Sequence, residues 1–317
     1  MPLTLEGFGS YFAGGRQVVV SGQPSQRIKL SPQAVIEHDP NGTFHVEQAY
    51  VQWFAPAGST ARPPLVLVHG GCLTGASWET TPDGRPGWLD RFLRAGFAVH
   101  VVDGVERGRA GWCALPGIWP EAPVARSAEQ IWDFYRLGPP DGFAARRGYP
   151  GQRFPLAALD TLICQHVPRW FSTIQAAAEA LIAVLERVAG QGRPPVVLCH
   201  SNGGLIVTQA AWGRPDLLGG VVAVEGSGFP ESPPPTGLAG KPFLFVMGDY
   251  LEEAALWRGL SAATSAVAGR LKAAGARVTD WRLPTLGIRG NSHLPMMDDN
   301  SDDIAARVIG WIEAEVR

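Results

Sequence analysis

Residues 196–207, VVLCHSNGGLIV, decide the fold, because an apolar run typical of a buried strand leads through one serine into a run typical of a helix. A serine at such a strand–turn–helix junction occupies a tight corner, where the residues two before and two after it must be small. Gly203 and Gly204 meet this requirement on the far side, while Cys199 stands on the near side where glycine is usual. The segment therefore predicts either a nucleophilic Ser201 or a turn serine that caps a helix.

Short apolar runs alternate with helical patterns on both sides of this segment. The middle runs are continuously apolar, as expected of strands covered on both faces of a parallel sheet. The candidate strands are QVVV (17–20), HVEQAYVQWFA (45–55), PLVLVHG (64–70), FAVHVVD (97–103), PVVLCH (195–200), GVVAVEG (220–226), FLFVMGD (243–249) and ARVTDWRLP (276–284). One intervening helix begins near Ser172, which is spaced with Gln175 as a capping box. The alternation predicts a single α/β domain over residues 1–317, with a mostly parallel central sheet flanked by helices.

Composition excludes several other classes of protein. The 317 residues are 45% hydrophobic and 18% charged, with a formal net charge of -2, which favours a folded core and gives no reason to expect binding to nucleic acid. No apolar run reaches the roughly 18 residues of a membrane span, and the N-terminus lacks a signal-peptide pattern. We therefore expect a soluble protein that is cytoplasmic, or periplasmic or secreted if a leader was removed. The four cysteines are too scattered for a disulfide framework, and no CxxC spacing indicates zinc.

Residues 112–171 interrupt the alternation, because they are rich in proline and aromatic residues and contain no convincing parallel strand. We expect this cap segment to be an insertion that covers one edge of the sheet. Its aromatic residues either line an apolar acyl or alcohol site or simply pack the cap on the sheet. They are Trp112, Trp119, Trp132, Phe134, Tyr135, Trp170 and Phe171, with Trp78 and Trp88 earlier in the chain. Just before the cap segment, Arg107 and Arg109 could meet an anionic substrate group, although solvated or structural arginines are commoner.

The segment LVLVHGGCLTG (65–75) could supply part of the machinery of acyl transfer. It leaves a candidate strand through a glycine turn, and such a turn lets the backbone offer an N–H group to a developing oxyanion. We expect the N–H groups of Gly71 and Asn202 to form an oxyanion hole. His69 is expected to be a structural residue that shapes this loop, and His200, next to the serine, is expected to point away from it and pack beside the turn.

A serine nucleophile also needs a base and an acid. Among seven histidines, His293 alone lies between the last predicted strand and the last predicted helix, where the base of such enzymes stands. A carboxylate must accept the other imidazole N–H, which fixes the tautomer and stabilises the imidazolium. Glu225 in VVAVEGSG and Asp249 in FLFVMGDY both follow candidate strands, so residue patterns alone leave the acid open.

A longer stretch of the chain carries a more specific signal. The chain resembles the bacterial esterase 713 family of the α/β-hydrolase superfamily over the run HGGCLTGASWETTPDGRPGWLDRFLRAGFAVHVVDGVERGRAGW. The segments HSNGG, VEGSG and NSHLPMMDDNS also occupy the positions along the chain that they have in that family. The resemblance covers most of the chain and is weakest across the cap segment. It implies an α/β-hydrolase fold with the nucleophile, acid and base at Ser201, Glu225 and His293.

The chain departs from this family at the predicted oxyanion loop. The family carries two adjacent cysteines there, whereas this chain has Gly71 and Cys72, so the vicinal disulfide that the resemblance implies cannot form. We therefore expect Cys72 to be a free thiol.

The function implied is that of a serine hydrolase that cleaves carboxylic esters through an acyl-enzyme and needs no metal or organic cofactor. The expected partner is a small-molecule ester, and a homodimer is left open. A lactonase or amidase of the same fold would share every motif. A non-catalytic binding protein is the remaining alternative, although such proteins have usually lost a member of the triad.

Overall fold

In the computed structural model, which describes residues 2–58, 62–115 and 117–316, a mostly parallel sheet is flanked by helices. The strands are β1 (Leu5–Val20), β2 (Gln26–Ser31), β3 (Ala34–His38), β4 (Gly42–Pro56), β5 (Leu65–Val68), β6 (Val99–Asp103), β7 (Val196–His200), β8 (Gly220–Val224), β9 (Pro242–Met247) and β10 (Arg277–Arg282). The α-helices are α1 (Ala76–Glu79), α2 (Trp88–Arg94), α3 (Ala128–Phe134), α4 (Leu159–Cys164), α5 (Ile174–Ala189), α6 (Gly203–Gly213), α7 (Ala255–Ala273) and α8 (Ser301–Glu315). The predicted domain and cap segment include positions 1, 59–61, 116 and 317, which lie outside the described residues.

The main sheet has eight strands in the order β1-β4-β6-β5-β7-β8-β9-β10. Strands β1, β4 and β6 pair antiparallel, and every neighbouring pair from β6 to β10 is parallel. All eight candidate strands lie in this sheet, so the predicted fold class is confirmed. The sequence missed the first part of β1 and the separate hairpin formed by β2 and β3.

The apolar core occupies both faces of the sheet. Strands β5, β7, β8 and β9 are buried at every residue, as their continuously apolar sequences require. Because side chains alternate along a strand, Leu65 and Leu67 share a cluster with α2 and α8, while Val66 and Val68 share one with α5, α6 and α7. Among the helices that the structure describes, none is both long enough and apolar enough to cross a membrane.

The cap segment contains α3 and α4, and within its described part no strand longer than a single bridge between Val124 and Arg169. Its aromatic residues differ in environment. Trp132 and Tyr135 are buried in the same cluster as α2 and α8, whereas Trp112 and Phe171 are 58% and 54% exposed. Packing thus explains Trp132 and Tyr135, whereas Trp112 and Phe171 are exposed enough to contact a ligand.

Candidate active site

Ser201 lies at the corner between β7 and α6, with a backbone φ of +50°. This left-handed conformation costs a residue with a side chain about 1 kcal/mol or more, so the surroundings must hold it. The N–H of Ser201 donates to the carbonyl oxygen of Val224 at 3.1 Å, and its own carbonyl oxygen accepts the N–H of Gly204 at 2.9 Å. A Cβ atom at Gly203 would lie only 2.8 Å from the carbonyl oxygen of His69. Glycine at position 203 therefore allows helix and strand to approach.

Ser201, His293 and Glu225 form a continuous chain of hydrogen bonds. Nε2 of His293 lies 2.8 Å from Oγ of Ser201, and Nδ1 lies 2.9 Å from Oε2 of Glu225. His293 and Glu225 have no exposed surface, and Ser201 is 3% exposed. With the proton on Nδ1, the imidazole donates to the carboxylate and accepts from the serine hydroxyl. This arrangement can remove a proton from the hydroxyl as it attacks an electrophile.

The other candidate acid, Asp249, does not contact the imidazole. Its Oδ1 accepts the N–H of Tyr250 at 2.9 Å, and its Oδ2 accepts the N–H of Gly290 at 3.0 Å. Asp249 therefore fixes the backbone that leads towards His293. The structure brings Glu225 to the histidine instead.

Arg136, from the cap segment, is a partner of this site that sequence analysis missed. Its Nη2 donates to Oε1 of Glu225 at 2.8 Å, and its Nε donates to the carbonyl oxygen of Asp249 at 2.8 Å. The guanidinium also lies 4.7 Å from the ring centroid of Trp257, and the N–H of Gly248 donates to the same Oε1. A lone arginine in a proline-rich stretch carries no local signal of such a role.

Burial and charge set the protonation states of the Glu225–His293 pair. Burial alone would raise the pKa of Glu225, but the charge of Arg136 and the hydrogen bond from His293 outweigh it and lower that pKa to about 2. Burial lowers the pKa of His293 to about 4, although Glu225 opposes this shift. At neutral pH the carboxylate is ionised and the imidazole neutral, the states that a general base and its orienting acid require.

The loops that carry Gly71 and Asn202 lie side by side, since a Cβ atom at Gly71 would be 3.5 Å from Cβ of Asn202. Among the hydrogen bonds between described residues, none uses the N–H group of either. Both groups therefore remain available as donors. Cys72 is a free thiol, 2% exposed, with a φ of +60°, and its carbonyl oxygen accepts the N–H of Val167 at 3.0 Å. Packing and this backbone bond hold the loop.

Two further histidines shape the backbone around the site. Nδ1 of His69 lies 2.8 Å from the carbonyl oxygen of Gly70, and its Nε2 accepts the N–H of Gly104 at 3.0 Å. Nε2 of His200 lies 2.8 Å from the carbonyl oxygen of His293. Both side chains thus hold loops in place, which is the role expected of His69 from the sequence.

The motif SWETTPDGRPGW supports the loop that carries His293. Nη2 of Arg85 donates to the carbonyl oxygen of Asp298 at 3.1 Å, and Nε1 of Trp88 donates to that of Ser301 at 3.1 Å. The carboxylate of Asp298 in turn accepts the N–H and hydroxyl of Ser292 at 2.8 and 2.7 Å. A motif distant in sequence therefore fixes the residue next to the histidine.

Comparisons with known proteins identify the family. No protein-family profile matches the chain. A solved structure described as a novel bacterial esterase is 33% identical, with a TM-score of 0.86 over 100% of this chain and 98% of that one. The probable secreted lipase phiG of a Fungal sp. (strain ATCC 74256) is 27% identical over 86% of this chain and 88% of its own length. The chain therefore belongs to the α/β-hydrolase superfamily and, within it, to the family of that bacterial esterase, as its sequence indicated.

Proposed function

We propose that the protein hydrolyses carboxylic esters, with Ser201 as nucleophile, His293 as general base and Glu225 as the acid that orients it. The observation that carries this proposal is the chain of two hydrogen bonds, 2.8 and 2.9 Å long, which joins the serine hydroxyl through a neutral imidazole to an ionised carboxylate. Family membership supports the same activity, because the related structure is that of an esterase and a further relative is a probable lipase.

Acylation begins when Oγ of Ser201 attacks the ester carbonyl carbon and Nε2 of His293 accepts the hydroxyl proton. The N–H groups of Gly71 and Asn202 donate to the oxyanion of the tetrahedral intermediate. When the bond to the alcohol oxygen breaks, His293 delivers its proton to the leaving group. The acyl group is then bound to the serine oxygen as an ester.

Deacylation repeats these steps with water. His293 accepts a proton from the attacking water, and the proton passes to Oγ of Ser201 as the acid is released. Glu225 remains ionised and stabilises the imidazolium in each half-reaction. Because Arg136 and Gly248 both donate to its Oε1, the free Oε2 is held towards the imidazole.

We also propose that the cap segment shapes the substrate site. The rings of Phe134 and Tyr135 pack against His293, with centroids 5.4 and 5.6 Å apart, and Val167 binds the loop of Cys72. Since the same segment supplies Arg136, its replacement would disturb the triad as well as specificity. Substrate preference is therefore best tested by single substitutions in the segment.

Hydrolysis of p-nitrophenyl acetate and butyrate by the wild type and by Ser201→Ala tests the proposed activity. The variant should lose turnover by about a million-fold, because no other group replaces the nucleophile. Ser227→Ala is the matched control, since the contact of Ser227 with the Ser201 carbonyl is made by its backbone N–H. A lactone and a p-nitroanilide assayed in parallel distinguish lactonase and amidase activity. An alanine variant that kept more than a few per cent of the rate would refute the assignment.

A further inference from the structure

A buried arginine, Arg169, lies beside the proposed oxyanion hole with an unpaired guanidinium nitrogen. Nη1 of Arg169 would be 2.7 Å from a Cβ atom at Gly71, and Arg169 is 7% exposed. Its guanidinium lies over the ring of Phe171 at 4.2 Å from the centroid. Within the described part of the chain, no hydrogen bond or ion pair satisfies its Nε. A buried cation thus stands next to the loop where the ester carbonyl would be bound.

Arg107 is a second cation of this kind. It is 5% exposed, and its Nη2 donates to Oε1 of Glu106 at 3.1 Å, but its Nε and Nη1 have no partner among the described residues. Burial and the nearby charge of Arg107 lower the pKa of Arg169 to about 10. Arg169 therefore keeps its positive charge at neutral pH and lies close enough to the guanidinium of Arg107 to be repelled by it.

The local charges do not balance. Glu106 forms an ion pair with Arg107, and its charge also acts on Arg169, so one carboxylate serves two guanidinium groups. Buried charges without partners are costly, and a bound anion would remove that cost. Arg109, only two residues from Arg107, is an ordinarily paired arginine, because its guanidinium forms an ion pair with Asp103 at 2.8 Å. Nη1 of Arg136 also lacks a partner among the described residues, but its guanidinium already forms an ion pair with Glu225.

We propose that the preferred esters of this site carry a carboxylate, and that Arg107 and Arg169 bind it beside the oxyanion hole. The inference rests on the proposed function, because the anion would belong to the ester that Ser201 attacks. Guanidinium groups match the two oxygens of a carboxylate and form charge-assisted hydrogen bonds with them. Since Arg169 adjoins Gly71, the carboxylate would lie only a few bonds from the reacting carbonyl, as in a half-ester of a short dicarboxylic acid.

Two matched pairs of esters test the substrate class. The p-nitrophenyl half-ester of glutaric acid is compared with its neutral methyl ester, which places the charge on the acyl side. 4-Acetoxybenzoate is compared with 4-acetoxybenzamide, which places it on the alcohol side. Spontaneous hydrolysis is measured without enzyme and subtracted before each kcat/KM is calculated. In the wild type, the charged member of at least one pair should be preferred by about ten-fold or more.

The ratio of kcat/KM for the charged ester to that for the neutral ester should fall towards one in Arg107→Gln and Arg169→Gln. It should be partly kept in Arg107→Lys and Arg169→Lys, which retain the positive charge. Arg109→Gln is the matched control and should keep the wild-type preference. A ratio measured within one preparation does not depend on how much of a variant is folded. Equal rates for charged and neutral esters in the wild type, or a preference that survives both glutamine substitutions, would overturn the inference.

Inhibition of the wild type gives a second measurement that needs no variant. At constant ionic strength, glutarate should inhibit hydrolysis of a neutral ester competitively and at least ten-fold more strongly than glutaramide. Equal inhibition by the two would contradict a carboxylate site. If the wild type hydrolysed none of the four esters, the proposed function would fail together with this inference. Hydrolysis without any charge preference would refute the inference alone.

Discussion

Nη2 of Arg136 donates a 2.8 Å hydrogen bond to Oε1 of Glu225, and neither side chain has any exposed surface. A carboxylate buried to this extent would be neutral without a counter-charge. Arg136 therefore keeps Glu225 ionised, and by binding Oε1 it helps to leave Oε2 facing His293. In the proposed mechanism Arg136 acts on the reaction through Glu225 and is therefore a positioning residue.

Replacing Arg136 with methionine should weaken both catalysis and folding. Loss of the positive charge raises the pKa of Glu225 and of His293, because that charge lowers both in the wild type. The acid limb of the kcat/KM profile should therefore move to higher pH. Breaking a buried ion pair from one side should also reduce the free energy of unfolding by about 3 to 5 kcal/mol, measured with urea.

Arg147→Gln is the control for Arg136, because its ion pair with Asp141 is formed by side chains that are 57% and 77% exposed. We expect that variant to change the free energy of unfolding by less than about 1 kcal/mol and to leave the pH profile in place. A folded Arg136→Met protein with an unshifted acid limb would show that Arg136 merely packs.

The identity of the triad acid can be tested by two isosteric substitutions. Glu225→Gln should lower kcat by about 10⁴-fold, because glutamine no longer stabilises the imidazolium or fixes the productive tautomer. Asp249→Asn should change kcat by less than about ten-fold, since the partners of its carboxylate among the described residues are the backbone N–H groups of Tyr250 and Gly290. Circular dichroism would confirm that both variants are folded. The opposite order of effects would make Asp249 the acid.

Acid pH should affect stability before it affects the chemistry of His293. Burial lowers the pKa of five histidines below the ordinary value, and these are His69, His100, His166, His200 and His293. Between pH 6.5 and their folded pKa values of about 4 or lower, only the unfolded chain binds these protons. The free energy of unfolding should therefore fall as pH decreases through this range.

Urea unfolding at pH 7.5, 6.5 and 5.5 measures this loss of stability. Over the same range kcat/KM should change little while the protein stays folded, because His293 remains neutral until the pH approaches about 4. An activity midpoint at pH 6.5 in stably folded protein would show that burial does not control the titration of the base.

The cysteines should differ in reactivity, and activity should not depend on a disulfide. All four are free, with Cys72 and Cys199 buried and Cys164 exposed, and burial raises the pKa of Cys199 to about 12. We expect iodoacetamide to label Cys164 first in native protein and the two buried thiols only after unfolding, as mapped by mass spectrometry. Esterase activity should withstand reductant. Reversible inactivation together with a mapped Cys72 disulfide would contradict this expectation.

The central sheet could be predicted because its inner strands, such as β5 and β7, are apolar at nearly every position. The first part of β1 could not, because Phe8 and Phe12 face solvent at 67% and 59% exposure and several glycines interrupt the pattern. That strand forms by long antiparallel pairing with β4, a partner that its own sequence does not specify. Tertiary contact, more than local propensity, determines this edge.

The N-termini of two helices also show that local sequence patterns predict only part of the structure. The capping box predicted at Ser172 is wrong, because α5 has its N-cap at Thr173 without a side-chain hydrogen bond, and the N–H of Ser172 donates to Glu121 at 2.7 Å. A capping box does occur at Ser127 and Gln130, where α3 begins. At Ser172, a hydrogen bond to Glu121, which is distant in sequence, is formed in place of the predicted capping box.

Sequence patterns likewise predicted some residues of the candidate site and not others. Ser201 and His293 could be placed from motif and chain order, because each lies in a short segment with a recognisable context. Residue patterns could not choose between Glu225 and Asp249, since both follow neighbouring parallel strands. The geometry around Glu225 depends on Arg136, which lies in a remote segment whose path no local pattern predicts.

The left-handed backbone of Ser201 recurs at Cys72, Arg136 and Glu225, with φ values of +60°, +56° and +52°. At each of these positions glycine would adopt the same backbone without a steric penalty and could relieve up to about 1 kcal/mol of strain. At Ser201, selection for a more stable fold alone would thus favour glycine, whereas at Arg136 and Glu225 the buried ion pair outweighs this gain. Selection for the proposed activity would therefore be the reason that serine stands at position 201.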